Sequence, residues 1–295
     1  MYLSCLLIDA GDNPDRPRPG RLWLRNLYRV HQRLCMAFPA TNHDKYFLQP
    51  YEPAHFPDSR TGEKPFEAKK HLPGQRTESH VHVERSNNEG FLFRVDPLSG
   101  NRAMIVVQSA IEPKWEYTFQ NVGINRDPAK RMAEIQDLLA APPQVQKDYQ
   151  PKYPDGTLLG FRLLANATHK VPRKEGIPEH NARRRVPVQR GEDDEGLKKW
   201  LTTRAEPSET VIGAPQIPLG FHVEKFLNIQ TGYVGASRGK YDADETRQFK
   251  RFFYVRYDGV LRVTDSNAFY NAVARGIGPA KGFGFGLLSI APVRQ

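Results

Sequence analysis

The chain has 295 residues, enough for one large or two ordinary domains. Hydrophobic residues make up 39% and mean hydropathy is −0.63, so the chain reads as globular but polar; with no run of ~18 apolar residues, no transmembrane helix is expected. A net charge of +10 and a pI of about 9.6 favour a polyanionic partner, nucleic acid before membrane, because no basic amphipathic anchor is apparent.

Met1 to Ile8 is apolar, has no basic residue before it and soon meets Asp9 and Asp12, so it reads as an opening strand rather than a signal peptide. The two cysteines, Cys5 and Cys35, make no disulfide framework, and a reduced, cytoplasmic protein is expected. Residues 10–21 read as a loop. A helix follows from about Leu22 to Phe38, stopped by Pro39. At ~100° per residue, Leu27, Leu34 and Phe38 share its apolar face, with Trp23 beside them. Arg25, Arg29, Gln32 and Arg33 fall on the opposite face, while His31 and Tyr28 flank the stripe.

Residues 40–90 read as a long surface insertion, rich in Pro, Lys, Glu and His. His43, His55, His71, His80 and His82 lie in it, but their spacing fits no common zinc pattern and no metal is expected. Strands at Phe91–Val95 and Ala103–Ser109 flank a turn over Asp96–Gly100. A helix is expected over Asp127–Ala140, ended by Pro142-Pro143, then a short strand near Tyr149–Tyr153. This order is βαββαβ, a ferredoxin-like unit.

Pro154-Asp-Gly156 marks a boundary, dividing the chain into domains 1–154 and 155–295. Thr157–Leu164 reads as a strand. A basic block follows, with His169 and Lys170 at its start and Arg173, Lys174, Arg183, Arg184, Arg185 and Arg190 after them. Asp193 is placed to cap a helix around Leu197, Trp200 and Leu201. Phe221–Ile229 reads as a strand, and Arg251–Val263 as two short strands around the turn dipeptide Asp258-Gly259. A helix over Asn267–Arg275, capped by Asp265-Ser266, and a strand at 286–290 repeat the βαββαβ order. The expected fold is α+β: two tandem ferredoxin-like, RRM-like domains.

Between that last helix and strand, five glycines fall in eleven positions: Gly276, Gly278, Gly282, Gly284 and Gly286, with Lys281 among them. Glycine lets backbone amides approach a bulky anion and permits positive φ, so the loop suits a phosphate. The alternative is a glycine-rich turn that lets a strand pack tightly. A nucleotide P-loop is excluded because Lys281 precedes Gly282, and a dinucleotide fingerprint because the helix precedes the glycines. Phe283 and Phe285 are placed either to stack bases or to fill the core.

His31 is the histidine suited to chemistry. Tyr28, three residues before it, shares its side of the helix. Imidazole exchanges a proton near neutral pH and the phenol holds an oxygen. The alternative is a satisfied histidine at the edge of the core.

Met1–Ser4, Leu27–Leu34 with Ala37–Pro39, Leu92–Val95, Val107–Ser109, Phe161–Asn166, Trp200-Leu201, Gly259–Asp265 and Gly276–Pro292 together resemble the CasE-type CRISPR repeat endoribonucleases. These belong to the RAMP superfamily and are subunits of the Cascade complex. The resemblance spans the chain apart from residues 40–90. It implies two ferredoxin-like folds and metal-independent cleavage of CRISPR precursor RNA at the 3′ base of a repeat stem-loop, with no cofactor. The mature guide RNA stays bound and joins the other Cascade subunits. The family's catalytic histidine falls on His31, its helix tyrosine on Tyr28 and its glycine-rich loop on Gly276–Gly286. Where the family has Arg-Ala-Asn-Pro, this chain has Leu164-Ala-Asn-Ala167, followed by His169 and Lys170. Arg29 and Arg33 on the helix and the basic block are the further RNA-binding candidates. A catalytically silent RNA clamp on the same folds is the competing function.

Overall fold

The computed structural model describes residues 1–9, 24–35, 37–38, 90–119, 138–172, 183–206, 218–238 and 248–293. Residues 40–89 and the greater part of the expected 127–140 helix lie outside the described residues. The chain divides into two compact units: Met1–Phe91 with Val95–Tyr149, and Leu92–Arg94 with Gln150–Gln295.

In the first unit, strand β1 (Tyr2–Asp9) runs between β3 (Arg102–Ser109) and β4 (Gln144–Gln146), with β2 (Phe91–Leu98) beyond β3. The order β2-β3-β1-β4 is that of a ferredoxin-like sheet. Alternation along β1 buries Ser4, Leu6 and Ile8 on one face, and the register sets Leu6 opposite Ile105 and Ile8 opposite Ala103. Val107 and Trp115 complete the buried set, and the Trp115 indole donates to Ser4 Oγ at 3.1 Å. Helix α1 (Leu27–Cys35) and the short α2 (Trp115–Phe119) belong to this unit.

Three expectations are corrected here. Helix α1 spans Leu27–Cys35, ending before the expected Phe38, while the expected start at Leu22 lies outside the described residues; Asn26 is its N-cap, its Oδ1 accepting from Tyr28 N at 3.2 Å and its carbonyl from Val30 N at 3.1 Å. β2 runs on through Pro97 to Leu98, since the reversal is made by Gly100 and Asn101, both at positive φ. The closing strand is Gln144–Gln146, not Tyr149–Tyr153; the polar Gln-Val-Gln segment pairs with β1, and Tyr149 contributes an amide to Met1 O at 2.8 Å.

The second unit repeats the order. Its sheet runs β10 (Leu288–Pro292), β5 (Leu158–Ala165), β9 (Gln248–Val263), β8 (Phe221–Arg238). Helices α3 (Glu195–Ala205) and α4 (Ser266–Arg275) supply Leu197, Trp200, Leu201, Phe269 and Val273 to a core closed by Leu159, Leu163, Tyr257 and Leu261. Between β5 and α3 stands a two-stranded hairpin, β6 (Thr168–Pro172) with β7 (Arg183–Pro187).

Asp258-Gly259 makes no turn: β9 is one continuous strand through it. Asp258 is held by Arg162 Nε at 2.6 Å and Arg256 Nε at 3.1 Å. A Cβ on Gly259 would lie 2.3 Å from Lys225 O and 2.7 Å from the Phe161 ring. The glycine answers to close packing inside a sheet, not to reversal. β8 likewise extends to Arg238, nine residues past Ile229, with register shifts between Val223 and Lys225 and between Phe226 and Asn228. Asp193 does not cap α3. A single 3-10 turn, Glu192–Asp194, leads in, and the Asp194 carboxylate is taken by Arg190 instead of the helix amides.

Helix α4 is capped as the sequence indicates. Asp265 accepts from Asn267 N and Ala268 N, each at 2.9 Å, and Gly276 closes the helix at φ 72°. Asp265→Ala is expected to destabilise the protein by about 1 kcal/mol in denaturant titration, with Asp265→Asn recovering most of it.

Candidate nucleic-acid interface

In the first unit, the nine-residue helix α1 carries Tyr28, Arg29, His31 and Arg33 within two turns. Leu27, Val30 and Leu34 bury its inner face. His31 stands at the edge of that face, half-buried. Its ring stacks on Phe91 at 5.5 Å between centroids with planes 23° apart, and Nε2 is 3.5 Å from Cys35 Sγ one turn later. Both contacts fix the imidazole plane while leaving the side chain short of full burial. Tyr28 is also half-buried, and Arg29 is exposed. Arg33 is committed inward: its Nη1 donates to Thr118 O of α2 at 3.2 Å, and burial pushes the guanidinium below its ordinary range.

The basic block of the second unit is the β6–β7 hairpin. Register sets His169 opposite Val186, Lys170 opposite Arg185, Val171 opposite Arg184 and Pro172 opposite Arg183. His169, Lys170 and Arg185 are exposed. Arg173 and Lys174 lie outside the described residues. The segment that replaces the family's Arg-Ala-Asn-Pro is buried from Ala165 to Thr168. Asn166 Nδ2 donates to Phe253 O at 2.6 Å and ties the end of β5 to β9, so this asparagine holds the base of the hairpin.

The glycine loop is now defined atom by atom. Gly276, Gly278, Gly284 and Gly286 all take positive φ, between 72° and 88°. Five of its amides are spent within the unit: Gly276 N to Ala272 O, Ile277 N to Gly286 O, Phe283 N to Ala280 O, Gly284 N to Lys281 O and Gly286 N to Leu164 O. Added Cβ atoms would meet Ile277 O at 2.8 Å from Gly286 and the Trp200 ring at 3.0 Å from Gly278. Most of the glycines therefore serve conformation and close packing, the alternative the sequence left open. Among the described residues, no carbonyl takes the amides of Gly278 or Gly282. Lys281 is half-buried beside them, its ammonium pushed below the usual value by burial and then by the charge of Arg275. Phe285 is fully buried, and Phe283 stacks on Phe252 at 4.5 Å, so both rings pack within the fold.

Trp200 joins hairpin and loop. Its indole N–H donates to Thr168 O at 3.2 Å, at the foot of β6, and its six-membered ring lies against Gly278. Arg204, one turn on, sets its guanidinium carbon 4.0 Å over the Trp200 ring and donates to Trp200 O at 2.8 Å. Sequence reading missed Arg204, although a Trp–Arg pair four residues apart on a helix is a recognisable side-chain contact.

Among the described residues, no group of three or more His, Cys, Asp or Glu side chains is placed to hold a metal ion, and no helix is long and apolar enough to cross a membrane. The five insertion histidines lie outside those residues.

Residues 75–292 match the family model described as CRISPR associated protein. A curated relative, the CRISPR-associated endoribonuclease Cse3 of Thermus thermophilus, is 26% identical over 214 residues, covering 71% of this chain and 85% of that protein. The solved structure of CRISPR endoribonuclease Cse3 bound to 19-nucleotide RNA matches with TM-score 0.55 and 22% identity, covering 99% of this chain and 100% of that one. Thermus thermophilus Cse3 bound to an RNA representing a pre-cleavage complex matches at TM-score 0.54 and 21% identity, covering 99% and 98%. A chain of a CRISPR RNA-guided surveillance complex matches at TM-score 0.50 and 16% identity, covering 99% and 100%. The repeated strand order agrees with these folds, and the tandem ferredoxin-like architecture expected from the sequence holds. With a family model spanning most of its length, this chain belongs to the CRISPR-associated proteins, and its resemblance is to their CasE (Cse3) type.

Proposed function

We propose that the protein is an endoribonuclease that cuts CRISPR precursor RNA at the 3′ base of the repeat stem-loop and keeps the guide RNA for the Cascade surveillance complex. The relative named as an endoribonuclease and the RNA-bound neighbours support the substrate class. In this reading residues 1–154 carry the catalytic helix and residues 155–295 the basic hairpin and glycine loop. The observation that carries it is His31: an imidazole held in a fixed plane at the half-open edge of a capped helix, with Tyr28 three residues before it.

RNA brings its own nucleophile, the 2′-hydroxyl beside the scissile phosphate. The protein's task is to align that hydroxyl with the 5′-oxygen leaving group, move protons and stabilise charge on the phosphorane. His31 exchanges the proton and Tyr28 orients the sugar. No metal enters the scheme, because neither nucleophile nor proton transfer requires one. Attack closes a 2′,3′-cyclic phosphate and the leaving oxygen departs as a 5′-hydroxyl. Phosphates along the stem meet His169, Lys170 and the arginines of the hairpin; Lys281 and the amides of Gly278 and Gly282 take a phosphate at the loop. A-form RNA hides its base edges in a deep, narrow groove, so such a surface reads shape and backbone.

The second reading, a non-catalytic clamp, draws on the contacts of His31 with Phe91 and Cys35, which also suit a structural histidine. One assay separates the two. Incubated with its host's repeat RNA in EDTA, the wild-type protein is expected to cleave. His31→Ala is expected to keep binding while its cleavage rate falls ~100-fold or more. Binding without cleavage in the wild type supports the clamp, and unchanged cleavage in His31→Ala removes His31 from its role. Affinity for the same RNA is also expected to fall steeply between low and moderate salt, as several phosphates are neutralised. A flat response counts against the hairpin as the RNA surface.

A further inference from the structure

Lys170 and Arg185 of the hairpin and Arg204 of the neighbouring helix α3 are cations with no counter-ion among the described residues. Lys170 and Arg185 are directly opposite in the β6–β7 ladder, where like charges destabilise pairing. Arg185 is also close enough to Arg204 to oppose its positive charge. Arg204 is itself half-buried, its guanidinium lying flat on Trp200 and one of its nitrogens tied to Trp200 O. Among the described residues, none of the three makes an ion pair with a carboxylate, although the nearby Arg190 does so with Asp194. A partly desolvated guanidinium beside a second one is costly unless an anion joins them.

We propose that Arg204, seated on Trp200, forms with Arg185 and Lys170 a site for one backbone phosphate of the bound RNA. The geometry favours a phosphodiester over a carboxylate side chain. A tetrahedral phosphate presents oxygens in several directions, so guanidinium groups from a helix and a hairpin can each donate to a different one. The position also has a structural consequence. Trp200 anchors the foot of β6 through Thr168 O and touches Gly278, so a phosphate bound here is registered against both the hairpin and the glycine loop. Burial, opposed by Tyr257, and then the charge of Arg185 hold Arg204 below its ordinary range.

The inference rests on the proposed RNA-binding function, and the test separates the two. Repeat stem-loop RNA is titrated against the full chain over a series of salt concentrations, for wild type, Arg204→Met, Arg204→Lys, Arg185→Met and the Arg185→Met/Arg204→Met double variant. Methionine keeps an aliphatic stem over the Trp200 ring and removes the charge. Each methionine single variant is expected to bind roughly tenfold more weakly, with the plot of log affinity against log salt shallower by about one. Arg204→Lys restores the slope. The double variant loses less than the product of the singles, because both arginines hold the same phosphate. Thermal unfolding of RNA-free Arg185→Met at low salt is expected no lower than wild type, since it relieves repulsion; a purely structural arginine would lower it. Wild-type affinity and slope in both methionine single variants, with wild-type binding salt-sensitive, overturn the site and leave the nuclease reading standing. Should Arg204→Met fail to fold, an unchanged slope in Arg185→Met alone overturns it. A wild type that does not bind the RNA overturns both.

Discussion

The indole of Trp200 is the fixed point of the second unit. Its N–H is bound to the foot of the hairpin, one face carries a guanidinium, its edge meets Gly278, and it lies parallel to Tyr257 at 6.3 Å and 3° between planes. Tyr257 is wholly buried and donates its hydroxyl to Leu197 O of the same helix, an environment that pushes the phenol well above its ordinary pKa. A large aromatic with one polar atom suits this position: the ring fills space among sheet, helix and loop, and the single donor finds its acceptor. Hairpin, α3 and glycine loop are separate in sequence, and Trp200 is where they share one set of contacts. The positions of Lys170 and Gly278 follow from that sharing.

The glycine loop shows how one composition serves two physical ends. Loops rich in glycine are read as anion cradles because their amides are free to point outward. Here five amides close on carbonyls of the unit, and the glycines are required by positive φ and by approaches a Cβ would block. Gly286 illustrates the point: at φ 88°, with its amide on Leu164 O, it locks the loop to the end of β5. A loop so tied is rigid, and rigidity is what a positioning device needs. The amides of residues 278 and 282, next to the half-buried ammonium of Lys281, lie outside this set of bonds.

The fold was legible in the sequence because period-two alternation in β1 and β5 and the capped helix α4 are local signals consistent with their surroundings. The failures came where tertiary contacts override a local rule. Asp258-Gly259 is a turn dipeptide in isolation, but Arg162 and Arg256 hold the carboxylate and a phenylalanine ring needs the bare glycine. Asp193 reads as a helix cap, yet a 3-10 turn shifts the start of the helix one residue on, and Arg190 takes the carboxylate of Asp194 that then stands there. Gln144–Gln146 carries almost no apolar signal, and its pairing is set by the free edge of β1. At the candidate site, Tyr28, Arg29, His31 and Arg33 were legible as one helix. That Arg33 turns inward to Thr118 depends on α2, more than eighty residues away in sequence. Arg204 went unread because its significance is relational: an arginine at a helix end becomes notable once the indole it covers is found tied to the foot of the basic hairpin.

Helix termini explain how such cations are tolerated. Arg204 lies in the last turn of α3 and Arg275 in the last turn of α4. A cation at a helix C-terminus gains typically ~0.3–1 kcal/mol from the aligned backbone dipoles. Arg204 adds a hydrogen bond to a carbonyl of its own helix and the face of an indole. None of these partners carries a full negative charge. A carboxylate would neutralise the guanidinium and compete with a phosphate for it; dipoles and a π face stabilise it while leaving its net charge intact. Lys281, at the glycine loop, is likewise held below its ordinary range by burial and then by the charge of Arg275. The positive charge of Arg204 is thus supported by groups that do not cancel it. A domain stabilised in that way keeps its attraction for a polyanion, whereas the exposed ion pairs of Arg190 with Asp194 and of Arg262 with Glu224 spend theirs within the fold.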